Sequence, residues 1–484
     1  MAIYRKGADP VALRGSARRL EHCAATANEV CDNAGQAVIS LRASWGGGDL
    51  DALTSRWPAV EQQIRATHDT ISRLSRLLDR QAGEQEGTSA SGAGGVPASV
   101  PGYPATYVPP GPLDQTHVDR ARAAVDDVLD GPGFWDLDGN RDDLLTAKQR
   151  IAALTPAEAE ALVQQLSADD LAKLATIMRD QSDVLWVDNG FDPFDRSDVT
   201  SGLLSKLTPE SAAKLQTAMP WSQPGFATTD AALSGQQSQV GEQQDGMHYG
   251  LPPGRLGADT LSAQDMNQGS FGDCWAIASM TATAQADPDF VENNISVNPN
   301  GTVNVRLFDH DGNPRIVTVT PDVPLNGDGN VVGAHGTDGQ TWPAYYEKAF
   351  AVVYGEDQGG APDGKSGPPY DVTEQGTYGA IEWDYNDKAP SYITGSEPRS
   401  VGGYDGAVEA FNDKSGVIVS TPAIAPTDAP PGYVTRHVYY VESVNADGTV
   451  TMGNPWGPDA QKITVDKADF DRLFNDPQAM KPKA

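Results

Sequence analysis

The sequence predicts a multidomain chain of the α plus α+β class: an N-terminal helical hairpin, a helical middle region and a C-terminal mixed region with strand-rich later parts. Three observations predict it. Apolar residues recur at helical spacing through the N-terminal segment. Gly-, Ser-, Pro- and Gln-rich stretches interrupt the chain at 82–113 and 223–250. From about residue 251, Asp-Gly and Asn-Gly turns at Asp311, Asn326, Asp328 and Asp338 separate short β-branched runs. A chain of 484 residues is also too long for one core.

The first predicted domain spans 1–81. Leu13, Ala17, Leu20, Ala24, Ala27, Val30, Ala34, Val38 and Leu41 keep a period near 3.6, which predicts a helix over 9–42. Ser44-Trp45-Gly46-Gly47-Gly48-Asp49 breaks it. Leu50, Leu53, Trp57, Val60, Ile64, Ile71, Leu74, Leu77 and Leu78 predict a second helix, with Pro58 starting or kinking a turn. Two such helices leave an apolar stripe open, so the hairpin wants a helical partner. Cys23 and Cys31 would lie about 12 Å apart along a helix, too far to pair, and read as packing thiols.

Residues 82–113 form a linker, flexible first and stiffer toward Pro109-Pro110-Gly111-Pro112. Residues 114–222 read as a helical middle domain. Thr155-Pro156-Ala157-Glu158 is a helix start with a capping Thr, an early Pro and a Glu three residues on; Ser167-Ala168-Asp169-Asp170 and Thr208-Pro209-Glu210 repeat the signal. The run Asp136–Asp142 has calcium-loop residues, but its Gly is misplaced and its twelfth position is Ala147, so a capped turn is the better reading. Residues 223–250 are a second linker. In 251–484, strands are expected at 303–307 and 315–319, and helices at 274–285 and 342–354.

Composition excludes several functions. Lys and Arg number 35 against 66 Asp and Glu, for a net charge of −31. Nucleic-acid and anionic-membrane binders need the opposite balance. The acidity is uneven: residues 1–81 are net +2, residues 82–250 net −15 and residues 251–484 net −18. Three cysteines cannot build a disulfide framework or a four-thiolate zinc site. No apolar run is long enough for a membrane span, and the first 25 residues lack the apolar stretch of a secretory signal.

The chemistry concentrates in Gln268-Gly269-Ser270-Phe271-Gly272-Asp273-Cys274-Trp275. The glycines predict a tight turn that opens into an Ala-rich helix. A thiol at a helix N-terminus sits at the positive end of the macrodipole, which favours thiolate. The Cys274 N–H and the Gln268 amide are candidate oxyanion donors. Such a nucleophile needs a base. His310 and His335 sit in loops, whereas His437 begins the alternating run His437-Val438-Tyr439-Tyr440-Val441. A turn at Asn445-Ala446-Asp447-Gly448 would fold the next strand back and bring Asn454 to His437. The amide would fix the imidazole tautomer, and Trp456 would shield that bond from water.

These motifs resemble the protease core of the calpain family of papain-like cysteine proteases. The order runs from Gln268 and Gly272-Asp273-Cys274-Trp275, through Trp342–Phe350 and Thr394-Gly395, to His437 and Asn454-Pro455-Trp456-Gly457. The resemblance implies a two-subdomain core over 251–484. Cys274 would lie on a helical subdomain and His437 and Asn454 on a β-rich one. It implies a cysteine-type endopeptidase acting on protein or peptide substrates, with Gln268 completing the oxyanion hole and Glu347 and Lys348 structural. The chemistry requires no cofactor. Calcium is an open expectation without assigned ligands, though Asp309, Asp311, Asn326 and Asp328 offer oxygen-rich turns.

Trp45-Gly46-Gly47 between two helices resembles the Trp-x-Gly family of type VII secretion substrates. The family's tyrosine signal is absent from Leu77-Leu78-Asp79-Arg80. That resemblance implies a secreted bacterial effector leaving without a leader peptide; without it, a cytoplasmic location follows. Two alternatives keep the same residues: a transglutaminase-like thiol acyltransferase, and a catalytically retired interaction protein. The middle helices are further expected to be a pro-region over the cleft, released by cleavage in 223–250.

Overall fold

The computed structural model describes residues 107–131, 141–179, 191–226, 246–253, 256, 266–287, 289–336, 339–354, 376–458 and 460–482, with isolated positions before residue 98. The chain divides into two units, Met1–Pro97 and Ala98–Ala484. In the first, Ala34, Val38, Trp57, Val60, Ile64 and Ile71 are described, and all six are helical. The Trp45-Gly46-Gly47 turn, Cys23 and Cys31 lie outside the described residues. So do the linker segments 82–106 and 227–245 and most of the Asp136–Asp142 run.

Among its described residues the second unit opens with six helices: α1 (Gln115–Asp130), α2 (Arg141–Ala152), α3 (Pro156–Gln165), α4 (Ala168–Met178), α5 (Pro193–Leu204) and α6 (Pro209–Ala218). Their starts follow the capping chemistry in the sequence. Thr155 Oγ1 accepts from the Glu158 N–H while Glu158 returns a bond to the Thr155 N–H; Ser167 and Asp170 do the same. The helices share a core that includes Val118, Val125, Leu162, Leu171, Leu203 and Leu215.

Mixed structure follows. The first strands are β1 (His248–Gly250) and β2 (Met266–Asn267). The central helix α7 (Cys274–Ala286) leads through α8 (Phe290–Asn294) into an antiparallel three-stranded sheet, β3 (Ile295–Val297), β4 (Val303–Phe308) and β5 (Pro314–Val319). β1 pairs with β6 (Val323–Leu325), and β2 with β7 (His335–Gly336). Helix α9 (Trp342–Val353) is buried along its whole length, with Trp342, Tyr345, Tyr346 and Phe350 in the core beside Trp275.

After α10 (Ala389–Thr394) a second lobe forms from β8 (Arg399–Ser400), α11 (Gly403–Asn412), β9 (Gly416–Ser420), β10 (Val438–Val444), β11 (Val450–Gly453), β12 (Ile463–Val465), α12 (Lys467–Leu473) and β13 (Asn475–Met480). Its strands make one antiparallel sheet in the order β12-β11-β10-β9-β13-β8. Period-two alternation divides β10 between two cores. Val438 and Tyr440 join the core that holds α7, while Tyr439 and Val441 face the opposite core with Val450, Phe470 and Leu473. One sheet therefore packs α7 on one face and supports itself on the other.

The helical region seats on the three-stranded sheet. Arg315 on β5 bonds Asp195 at 3.0 Å and Asp198 at 2.6 Å on α5, Ser201 Oγ accepts the Thr318 N–H, and Asn300 donates to the carbonyls of Leu204 and Leu207. Among the described residues of 114–222, none lines the cleft described below. The contacts that seat the helices use the β5 side of the first lobe.

Candidate active site

The turn before α7 is built by close backbone approach. Gly269 has φ +75°, and a Cβ there would lie 2.3 Å from the carbonyl oxygens of Val332 and Gly333, so only glycine fits. Its N–H donates to Asn267 Oδ1, and the Ser270 N–H donates to the Val332 carbonyl. The Gln268 N–H donates to the Pro455 carbonyl at 2.8 Å, which ties the turn to the segment carrying Asn454. Cys274 is the first residue of α7, a buried free thiol.

The second lobe supplies His437 and Asn454 by the hairpin expected from the sequence. The Asn445–Gly448 turn closes β10 onto β11, with Gly448 at φ +81°. Gly453 faces the Tyr440 ring so closely that a Cβ would lie 2.1 Å from it. His437 precedes β10 and Asn454 follows β11, and their side chains meet at 2.9 Å between Nε2 and Oδ1. The Trp456 N–H donates to the same oxygen at 3.0 Å. A backbone N–H can only donate, so the atom it meets is the carbonyl oxygen of the amide. Nε2 then carries a proton, and Nδ1 is left as the basic nitrogen.

The backbone of His437 is pinned as well. Its N–H donates to Thr421 Oγ1, and its carbonyl accepts the Thr421 N–H, both at 2.9 Å. The imidazole lies 4.8 Å from the Trp456 ring and 5.0 Å from the Tyr439 ring, centroid to centroid. Trp456 thus covers the His437–Asn454 bond while remaining 39% exposed.

A cleft of 470 Å³ gathers Gln268, Cys274, His437 and Trp456, all named from the sequence. Asn454 stands behind His437. The Gln268 side chain is buried, and its Nε2 donates to the Phe271 carbonyl at 2.5 Å, which uses one of the two amide N–H bonds. The cleft wall also holds Glu382, Trp383, Val434, Thr435 and Arg436, which the sequence reading missed. Glu382 Oε1 accepts the Gly272 N–H. Trp383 and Arg436 are non-glycine residues at φ 62° and 50°. No periodic pattern or motif surrounds them in the sequence, so no local signal marks them.

The electrostatics correct one sequence expectation. Burial pushes the Cys274 thiol up to about 12; the Val438, Trp275 and Cys274 N–H groups oppose this and the Asp273 charge adds to it. Burial likewise takes His437 down to about 4, against the Asn454 hydrogen bond. Both directions favour the neutral forms of the thiol and the imidazole. The helix N-terminus does not outweigh desolvation here.

In the turns considered for calcium, the side-chain oxygens bond nearby donors. Asp309 accepts from the Asp311 and Asn313 N–H groups and bonds Arg315, while Asn326 Oδ1 accepts from the Asp328 and Asn330 N–H groups. Their oxygens close local turns. Among the described residues no group of three or more His, Cys, Asp or Glu side chains is placed to hold a metal ion. Of the remaining histidines, His335 bonds the Gly333 carbonyl and His310 lies against Tyr392.

Cys274, at the start of α7, and His437, whose ring meets Asn454, line one cleft. Residues 247–393 match the family model described as calpain family cysteine protease. Calpain-B of Drosophila melanogaster is 24% identical over 266 residues, 49% of this chain and 26% of that protein. Calpain-A of the same fly is 25% identical over 214 residues, 41% of this chain and 24% of that protein. The chain thus spans about a quarter of the length of the curated relatives it matches. Over residues 247–393 the chain is therefore similar to calpain family cysteine proteases. The family match ends at residue 393, so His437 and Asn454 rest on the geometry above.

Proposed function

We propose that the protein is a calpain-like endopeptidase that cuts peptide bonds through Cys274, His437 and Asn454. The single observation that supports this is the shared Asn454 oxygen, which orients the His437 ring in the cleft that Cys274 also lines. In this reading His437 Nδ1 takes the Cys274 proton as the sulfur attacks the substrate carbonyl. The resulting oxyanion rests on the Cys274 N–H and the Gln268 amide. Collapse expels the amine, which takes its proton from His437. Water, deprotonated by His437, then hydrolyses the thioester and restores the thiol. Losing one oxyanion donor should lower the rate about 10²–10³-fold. No bound cofactor enters these steps, and a calcium titration of the rate addresses that point directly.

Purified wild type and Cys274→Ala should be compared on casein and with an epoxide thiol inhibitor. Casein cleavage by wild type alone, with inhibitor on Cys274, supports the proposal; an unlabelled Cys274 overturns it. Incorporation of a labelled amine into protein without chain cleavage would favour acyl transfer instead. Labelling with neither reaction would favour a retired interaction protein.

We further read the chain as a secreted bacterial effector, with the Trp45-Gly46-Gly47 segment as its export element and a helical partner for the hairpin. Support comes from the sequence motif alone. Export from a producing cell should stop on Trp45→Ala if the reading holds.

A further inference from the structure

Two carboxyl groups sit behind the nucleophile with no cation between them. Asp273, the residue before Cys274, and Glu347, in the middle of α9, are both fully buried. Their side chains meet. Both Asp273 carboxyl oxygens and Glu347 Oε2 lack a hydrogen-bond donor. Glu347 Oε1 accepts the Ala334 N–H at 3.0 Å. The neighbouring ammonium of Lys348 is committed elsewhere, to the carbonyls of Thr320 and Asp322 and to Thr320 Oγ1.

We propose that Asp273 and Glu347 share one proton, and that this acid–carboxylate pair rivets the Gln268–Cys274 turn to α9 in its oxyanion-binding shape. Glu347 is thus a positioning residue acting through Asp273. Two buried carboxylates in contact would repel each other and lack solvent, whereas one proton between them supplies the missing donor. Of the other groups facing the pair, the Glu382 carboxyl lies close enough to disfavour charge on Asp273, and the hydroxyls of Tyr249 and Tyr378 lie near Glu347, while the Gln268 amide favours charge on Asp273 and is outweighed by burial. Of these side chains none is cationic. Burial and the partner carboxylate hold both acids well above the ordinary carboxylate range. The proton belongs to the pair rather than to either residue. The pair can steer catalysis because the Asp273 carbonyl accepts the Ala276 and Ile277 N–H groups that start α7. Movement of Asp273 therefore moves the Cys274 N–H.

The proposal rests on the peptidase reading for its catalytic consequence but not for the proton itself, and the test separates the two. The full-length chain is examined by infrared spectroscopy in D₂O at about pH 8, above the ordinary carboxyl range. Wild type should show a protonated-carboxyl C=O band that both Glu347→Gln and Asp273→Asn lose, since an amide N–H replaces the shared proton. Thermal unfolding and peptide hydrolysis are then followed from about pH 5 to 10. The raised folded-state value means that stability is full below the unfolded carboxyl value and declines as pH rises through the folded one. Wild type should show that decline, with kcat falling alongside it and KM within about twofold. In the two variants the decline and the alkaline limb should shift upward by at least one pH unit or vanish. No protonated-carboxyl band in wild type at about pH 8, or unchanged pH profiles in folded variants, overturns the proposal. If one variant fails to fold, the other and the wild-type band still decide. An inactive chain with the band present would count against peptidase function and leave the shared proton standing.

Discussion

The oxygen of Asn454 does two things at once. It takes the Trp456 N–H, which proves its identity as oxygen, and it takes the proton on His437 Nε2, which turns the basic nitrogen away from Asn454. The sequence made this legible because Asn454 and Trp456 lie in one short motif and His437 begins an alternating strand. It made the buried Asp273–Glu347 contact illegible, because two residues 74 positions apart meet only once α7 and α9 pack. Desolvation was illegible for the same reason. The macrodipole argument for a thiolate is local, whereas burial of the thiol is a property of the whole cleft. A prediction follows at this scale. With thiol pushed up to about 12 and imidazole down to about 4, alkylation of Cys274 by iodoacetamide should climb with pH between about 6 and 9. A flat, fully reactive plateau over that window would show a standing ion pair and contradict the account.

Among the elements, the β10–β11 hairpin could be read in advance because its Asp-Gly turn and β-branched strands are contiguous. The pairing of β13 with β9, and of β8 with β13, could not. These strands are short and far apart in sequence, and their register depends on the core under α11 and α12. The hairpin also carries a constraint invisible in a strand pattern: Tyr440 lies on Gly453. Gly453→Ala should overpack this point and destabilise the chain by about 1–3 kcal/mol. It should also lower kcat by displacing Asn454. A thermal melt with parallel kinetics checks both, and an unchanged melt would mean the hairpin tolerates the methyl group.

For the whole molecule, the helical starts of 114–222 were readable from their caps, but their seat was not. Arg315 shows why. It bonds Asp195, Asp198 and Asp309 at once, and Asp195 also takes Lys148 at 2.6 Å. Burial alone would raise the Asp195 carboxyl, yet Lys148 and Arg315 hold it below the ordinary range. Removing Arg315 takes one cation from Asp195, Asp198 and Asp309 together and leaves Lys148 to hold the first two. Arg315→Ala should therefore cost about 2–4 kcal/mol in urea unfolding, while a change below about 0.5 kcal/mol would mean the seam does not depend on it. The same seat predicts that the helices of 114–222 stay attached after a nick in 227–245, which gel filtration of the nicked chain checks.

The central claim is that Cys274 is the nucleophile of a peptide-cleaving site. Its most direct measurement is peptide mapping of the full chain after reaction with the epoxide thiol inhibitor, alongside casein hydrolysis before and after labelling. The account predicts one adduct, on Cys274, with Cys23 and Cys31 unmodified, and loss of cleavage in proportion to labelling. Cleavage that persists with Cys274 fully labelled, or an unlabelled Cys274 in an active preparation, would contradict it.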